Sequence, residues 1–285
     1  MPEGRPRSRF SLAGRSSILD TRVDAVRRDL ADIRLAERVF APHYALSQPR
    51  TAGRNTPVLA RAGEPETVLS EVLAGESFDV LEVSGDYLWG VSPIDGSVGF
   101  VAADAFTAFW TPTHIVAVRT AMVHGRASLD SATLAALPMG TCVAASPAGE
   151  SLCEVDGGYV GSDALMPLGG LSSDVAAIAE QLVGVPARAG GRSGAGLDAA
   201  GLVFLSLHLA GKSAPRFCDL QAATVGTACS DADPFERGQV LFFDDHAAIL
   251  VDAQTAVHVD ADSVVRSPVA ALTDRYGAIL GRRQP

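Results

Sequence analysis

A chain of 285 residues is long enough for two or three domains with cores of their own, and 47% apolar against 20% charged residues is the balance of a globular protein. A net charge of −10 argues against nucleic acid or anionic lipid as a partner, and no apolar run approaches the ~18 residues of a membrane-spanning helix. The four cysteines, at 142, 153, 218 and 229, form no C-x-x-C pair, which argues against zinc and predicts buried free thiols.

The opening residues, MPEGRPRSRFSLAGR, are basic, and no apolar stretch of a secretory signal follows them. They read as a disordered tail, and the expected location is the cytoplasm. Within residues 1–44, Leu19, Val23, Val26, Leu30, Ile33 and Val39 recur at roughly helical spacing and predict one or two amphipathic turns. Residues 45–110 read as all-β, with short apolar runs at 57–60, 78–83, 87–91 and 98–101 separated by Gly, Asp, Pro and Ser. Residues 111–169 repeat the scheme. VGFVAADAF at 98–106 returns as GGYVGSDAL at 157–165, and Leu73-Ala74-Gly75 returns as Pro138-Met139-Gly140. Such a duplication predicts two small barrels in tandem. Tyr87 and Trp89 fit the core of the first barrel better than the wall of a groove.

Residues 170–285 change character. A helix is predicted over 174–183, with Val175, Ile178, Ala179 and Leu182 on one face and Ser172 or Ser173 as its cap. Then comes GGRSGAGLDAAGLVFLSLHLAG, from Gly190 to Gly211. It reads as a glycine-rich loop entering a helix, with Asp198 as N-cap and Gly211 just past the C-terminus. A helix apolar nearly all round must be buried. Its N-terminus, with its partial positive charge, suits a reactive thiol. After an irregular stretch at 214–221, strands are predicted at 239–243, 246–252, 255–259 and 264–267, giving an α+β unit.

Strand alternation puts His246, Ala248 and Leu250 on one face. A turn centred near Ala253 sets His258 opposite Ala248, diagonal to His246. A base with an orienting partner is the second half of a catalytic triad, although two histidines in a hairpin also fit half-buried polar residues. His43, His114, His124 and His208 show no metal-ligand spacing, and no phosphate loop or dinucleotide fingerprint is present, so neither metal nor cofactor is expected. His208 reads as a core or rim residue of the buried helix.

Pro186, Gly190, Gly191, Asp198, Gly201 and Leu202 together resemble the nucleophile segment of the NlpC-type cell-wall peptidases, which are papain-like cysteine peptidases. The family pattern is P-Y-x-W-G-G followed by G-[IL]-D-C-S-G-L. Gly238 to Ile249 resembles its G-D-L-V-F-[WF]-x-x-H-[VA]-[GA]-[IL] segment, which matches His246 to the general base. Val257-His258-Val259 is similar to [IL]-H-A, which matches His258 to the residue that orients the base. Pro215, Arg216 and Gln221 fit P-R-x-S-x-x-Q, with Cys218 in place of the small polar residue. The G-[FY]-V-x-x-x-[AL] endings of the two β units resemble bacterial SH3-like modules. The implied architecture is multidomain: two all-β SH3-like barrels (45–110 and 111–169) followed by an α+β papain-like NlpC-type domain (170–285).

The chemical positions depart from the family. Ala199 stands where the resemblance implies the nucleophile, and a methyl group cannot attack a carbonyl. Ala187, Ala189 and Ala200 stand where the family has Tyr, Trp and Ser. Three explanations follow: natural loss of catalysis, an engineered Cys-to-Ala change, or a nucleophile relocated to Ser193 or Cys218. Four alanines favour natural loss. The resemblance further implies that Asp198, Ala200, Ala187 and Ala189 line the substrate cleft, with Asp198 at the site for a stem peptide's free amine. The expected partner is therefore a murein stem peptide or a protein. The alternatives are an active γ-D-glutamyl-peptide peptidase in a Cys-to-Ala form and an assembly module without a small ligand.

Overall fold

The computed structural model describes residues 19–170, 174–230 and 232–285. The basic tail expected at 1–15, and Ser172 and Ser173, lie outside them. Among the described residues no helix is long and apolar enough to cross a membrane.

The helical turns expected between Leu19 and Val39 do not form as such. A short strand, Leu30–Asp32, pairs in parallel with His43–Ala45, and a single 3-10 turn, Ile33–Leu35, follows the first of them. The reason lies in the aspartates between the apolar positions. Asp20 accepts from the Arg22 amide, Asp24 from the Asp20 amide and Asp32 from the Arg34 amide. These local bonds offer the backbone an alternative to a helix ladder.

Residues 48–107 form one seven-stranded antiparallel sheet. Its central strands, Thr56–Leu59, Ser77–Ser84, Tyr87–Val91 and Val98–Ala102, coincide with the four apolar runs. One face closes on Val58, Val72, Phe78, Leu88 and Val101. Trp89 is buried on the other side with Ala25, Leu81 and Val98, under the Arg27 guanidinium at 4.4 Å, so it is a core residue. Residues 114–167 form a three-stranded and a five-stranded sheet. The internal repeat is visible in their ends. Val98–Ala102, a turn at Ala103–Ala105 and Phe106–Thr107 correspond to Gly158–Gly161, a turn at Ser162–Ala164 and Leu165–Pro167. All four cysteines are free; Cys142 and Cys153 are buried, but Cys218 and Cys229 are only half-buried.

The described residues of the remaining chain hold four helices: α1 (Val175–Gln181), α2 (Ala199–Leu209), α3 (Cys218–Thr224) and α4 (Val269–Tyr276). The described cap of α1 is Asp174, which accepts from the Ala177 amide. The stretch expected to be irregular contains α3, and α4 had no signal of its own. The six-stranded antiparallel sheet runs Thr227–Ala228, Gly281–Gln284, Val240–Phe243, His246–Leu250, Thr255–Val259, Val264–Pro268. Its first two strands escaped the sequence because they are short or polar. Helices α1 and α2 cover one face, meeting Ala247, Ile249, Val251, Val257 and Val259. Helix α4 covers the other, meeting Leu241, Phe243, Ala248, Leu250 and Ala256.

Candidate active site

Helix α2 sets the site. Leu202, Val203, Phe204, Leu205 and Leu207 are essentially unexposed, each worth roughly 1.5–3 kcal/mol of burial. Its C-terminus closes in a Schellman motif: the Lys212 amide donates to Leu207 C=O and the Gly211 amide to His208 C=O, with Gly211 at φ 71°. At the other end the Asp198 carboxylate accepts from the Gly201 amide at 2.7 Å and the Gly190 amide at 3.0 Å. The loop before it is not free. Arg192–Ser193 and Gly196–Leu197 pair as a short hairpin. Gly201 lets that hairpin approach, since a Cβ there would lie 2.0 Å from Gly191 C=O.

A buried charge network joins this helix end to the first β sheet. The Arg192 side chain, 1% exposed, pairs with Glu76 and, through Nε at 3.1 Å, with Asp95. Its amide donates to Glu71. Arg188 reaches across to Glu71 as well. Arg216, also 1% exposed, bonds Asp198 and the Ser70 hydroxyl, which in turn donates to Asp95 at 2.6 Å. Burial pushes the Asp95 carboxyl up, but the Arg192 charge and hydrogen bonds from Ser70 and Ser97 outweigh it and hold Asp95 below the usual range. Burial prevails at Glu76, whose carboxyl lies above its ordinary value despite Arg192.

The two histidines meet. Ala248 pairs with His258 in the sheet, the register that the alternation implies. His246 Nε2 and His258 Nδ1 are 3.1 Å apart, and His258 Nε2 lies 3.0 Å from the Ser267 hydroxyl. The Tyr276 ring, from the end of α4, stacks on His246 at 3.8 Å between centroids and 12° between planes. His246 Nδ1 makes no hydrogen bond among the described residues. Burial, helped by the charges of His258 and Arg275, pushes His246 down to about 4, so it is a neutral base at pH 7. His258 is lowered too, again chiefly by burial. Ser267 and Tyr276 were missed by sequence reasoning. Neither carries a motif, and both reach the pair only through the sheet and through α4.

Ala199 is the first residue of α2 and is half-buried. Ala200 is buried, and its carbonyl accepts from the Gln221 side chain at 3.0 Å. Ala187 is half-buried against the core of the third unit and bridges to Leu197, whereas Ala189 is exposed. Cys218 opens α3 close to this helix end. Burial raises its thiol to about 12, assisted by the charges of Asp198 and of Asp245, the residue before His246. At that pKa Cys218 is a protonated, inert thiol at pH 7. The Ser193 side chain is fully buried. Neither has the setting of an activated nucleophile. Among the described residues no group of three His, Cys, Asp or Glu side chains could hold a metal ion.

No family model matches this sequence, and no curated protein matches it. Solved structures do. An NlpC/P60 family protein from Bacillus cereus superposes with a TM-score of 0.71 at 16% identity, over 83% of this chain and 99% of that one. An NlpC/P60 endopeptidase from Photobacterium damselae subsp. piscicida superposes with a TM-score of 0.58 at 10% identity, over 82% of this chain and 70% of that one. The likeness is one of fold: the chain is built like an NlpC/P60 protein.

Proposed function

We propose that this chain is a catalytically inactive homologue of murein-peptide cysteine peptidases. In this reading residues 45–110 and 111–169 are SH3-like barrels, 170–285 is a degenerate papain-like domain, and the old cleft binds a cell-wall peptide or a protein partner. One observation carries it. A methyl group, Ala199, occupies the first position of a buried, well-capped helix, while the His246–His258 pair is kept at 3.1 Å. Without a thiolate no acyl-enzyme forms, and what remains of a triad gives only a residual rate, orders of magnitude below an intact one.

The charge network bears on the ligand. Asp198 is bonded to Arg216, and Glu71 to Arg188 and to the Arg192 amide. A stem peptide's free amine would find these carboxylates already engaged. This weighs towards a ligand held by shape and backbone contacts, or a protein partner, over one held by its amine. Calorimetric titration with an L-Ala-γ-D-Glu peptide, and with the same peptide acetylated at its amine, tests this. Comparable heats from the two support the reading. Binding that requires the free amine contradicts it.

A second reading is an active γ-D-glutamyl peptidase in a Cys-to-Ala form. Its support is the continuous His246–His258–Ser267 chain. Restored turnover in Ala199→Cys would favour it.

A further inference from the structure

The linker between the two β units carries two adjacent aromatics, Phe109 and Trp110. Phe109 is 54% exposed. The Trp110 backbone is pinned on both sides by one buried hydroxyl: its amide donates to Thr51 Oγ1 at 2.9 Å, and Thr51 Oγ1 donates to its carbonyl at 3.1 Å. Yet the indole joins none of the apolar cores, stacks on no aromatic ring and lies under no cation among the described residues. Trp110 is half-buried, fixed by its backbone and outside the apolar cores among the described residues.

Trp110 lines a groove of about 540 Å³ between the two β units. That volume lies within the usual range of ligand sites. The two units meet at the groove floor. The Cys142 amide of the second unit donates to Ala74 C=O of the first, and Gly75, at φ 82°, permits the approach because a Cβ there would meet Cys142 C=O at 2.0 Å. Asp156, exposed in the turn before Gly157, is the only charged side chain lining the groove among the described residues, and it has neither a hydrogen bond nor an ion pair there. The buried hydroxyl of Thr141, in the same lining, also has no partner.

We propose that this groove binds a cationic side chain, lysine or arginine, of a peptide partner, with its charge held between the Trp110 ring and the Asp156 carboxylate. Cations are drawn to the face of an indole, and a carboxylate lining the same groove adds a charge pair. The small residues of the lining leave room for an aliphatic stem, which packs while its head stays polar. An anionic side chain would be repelled by Asp156. A purely apolar one would cover that carboxylate without pairing it. The net charge of −10 steers a cation towards the chain from a distance. This site is separate from the cleft at α2, so its test does not depend on the reading of that cleft.

The test uses the full chain, isotope-labelled, and blocked pentapeptides Ala-Ala-X-Ala-Ala with X as Lys, Arg or Glu. The chain has two tryptophans, and buried Trp89 serves as the fold control. The expected result is a saturable shift of the Trp110 indole resonance with the Lys and Arg peptides and none with Glu, while Trp89 stays in place. Asp156→Asn is expected to weaken binding about fivefold, and Trp110→Ala, followed through the backbone amides of the groove, to abolish it. Equal response to the Glu peptide, indifference to Asp156→Asn with Trp89 undisturbed, or no saturable shift at millimolar peptide would each overturn the proposal.

Discussion

At the scale of single residues, Asp198 and the buried histidines carry the sharpest consequences. Asp198 caps α2 and also balances the charge of Arg216. Losing a cap alone costs about 1 kcal/mol. Asp198→Ala also strands a buried guanidinium, so urea denaturation is expected to show a loss of about 2–4 kcal/mol. Asp198→Asn, which keeps cap acceptors and drops the charge, should fall between. The histidines predict a pH dependence. His246 and His208 both titrate near 4 in the folded chain, His208 through burial and then the Arg192 charge, against about 6.5 when unfolded. The unfolded chain binds more protons between these values, so their contribution is full above about 6.5 and is lost as the pH falls towards 4. The raised Glu76 works in the opposite sense in this window. The telling quantity is therefore the difference between the chain and His246→Gln, whose stability should fall less steeply from pH 6.5 to 4.5, by about 1–3 kcal/mol. Parallel profiles would contradict the burial of a neutral His246.

At the scale of elements, α2 is where local sequence and tertiary demand agree. Its cap, its C-terminal glycine and its all-round apolarity were legible because each is a local signal. The pairing of His246 with His258 was legible too, because a strand's period is 2 and the turn between Leu250 and Thr255 leaves few registers. Other elements were not. α3 and α4 are short and are fixed by what they cover. The Leu19–Val39 segment has helical spacing, but its aspartates bond their own backbone. Gly201 separates local from tertiary effects. In an exposed helix Gly→Ala gains about 1 kcal/mol. Here the new methyl would meet Gly191 C=O, so Gly201→Ala is expected to destabilise, by at least about 1–2 kcal/mol. A gain in thermal stability would show that the hairpin does not press on α2.

At the scale of the whole molecule, the first β unit is tied to α2 by charge. Arg188, Arg192 and Arg216 come from the third unit; Glu71, Glu76 and Asp95 come from the first. No pattern in the sequence marked them, since partners so far apart along the chain leave no local trace. Arg192→Met would leave two buried carboxylates unpaired and should cost about 3–5 kcal/mol. Adding Glu76→Leu should return part of that cost, because the two positions are coupled. This lock braces the helix end that carries Ala199, and the proposed loss of catalysis there is the view to test. The most direct test of that view is mass-spectrometric detection of products when the chain as it stands is incubated with an L-Ala-γ-D-Glu-containing stem peptide, with Ala199→Cys assayed beside it. The account predicts no product from the chain carrying Ala199. Product formation by that chain, abolished by His246→Ala, would contradict it.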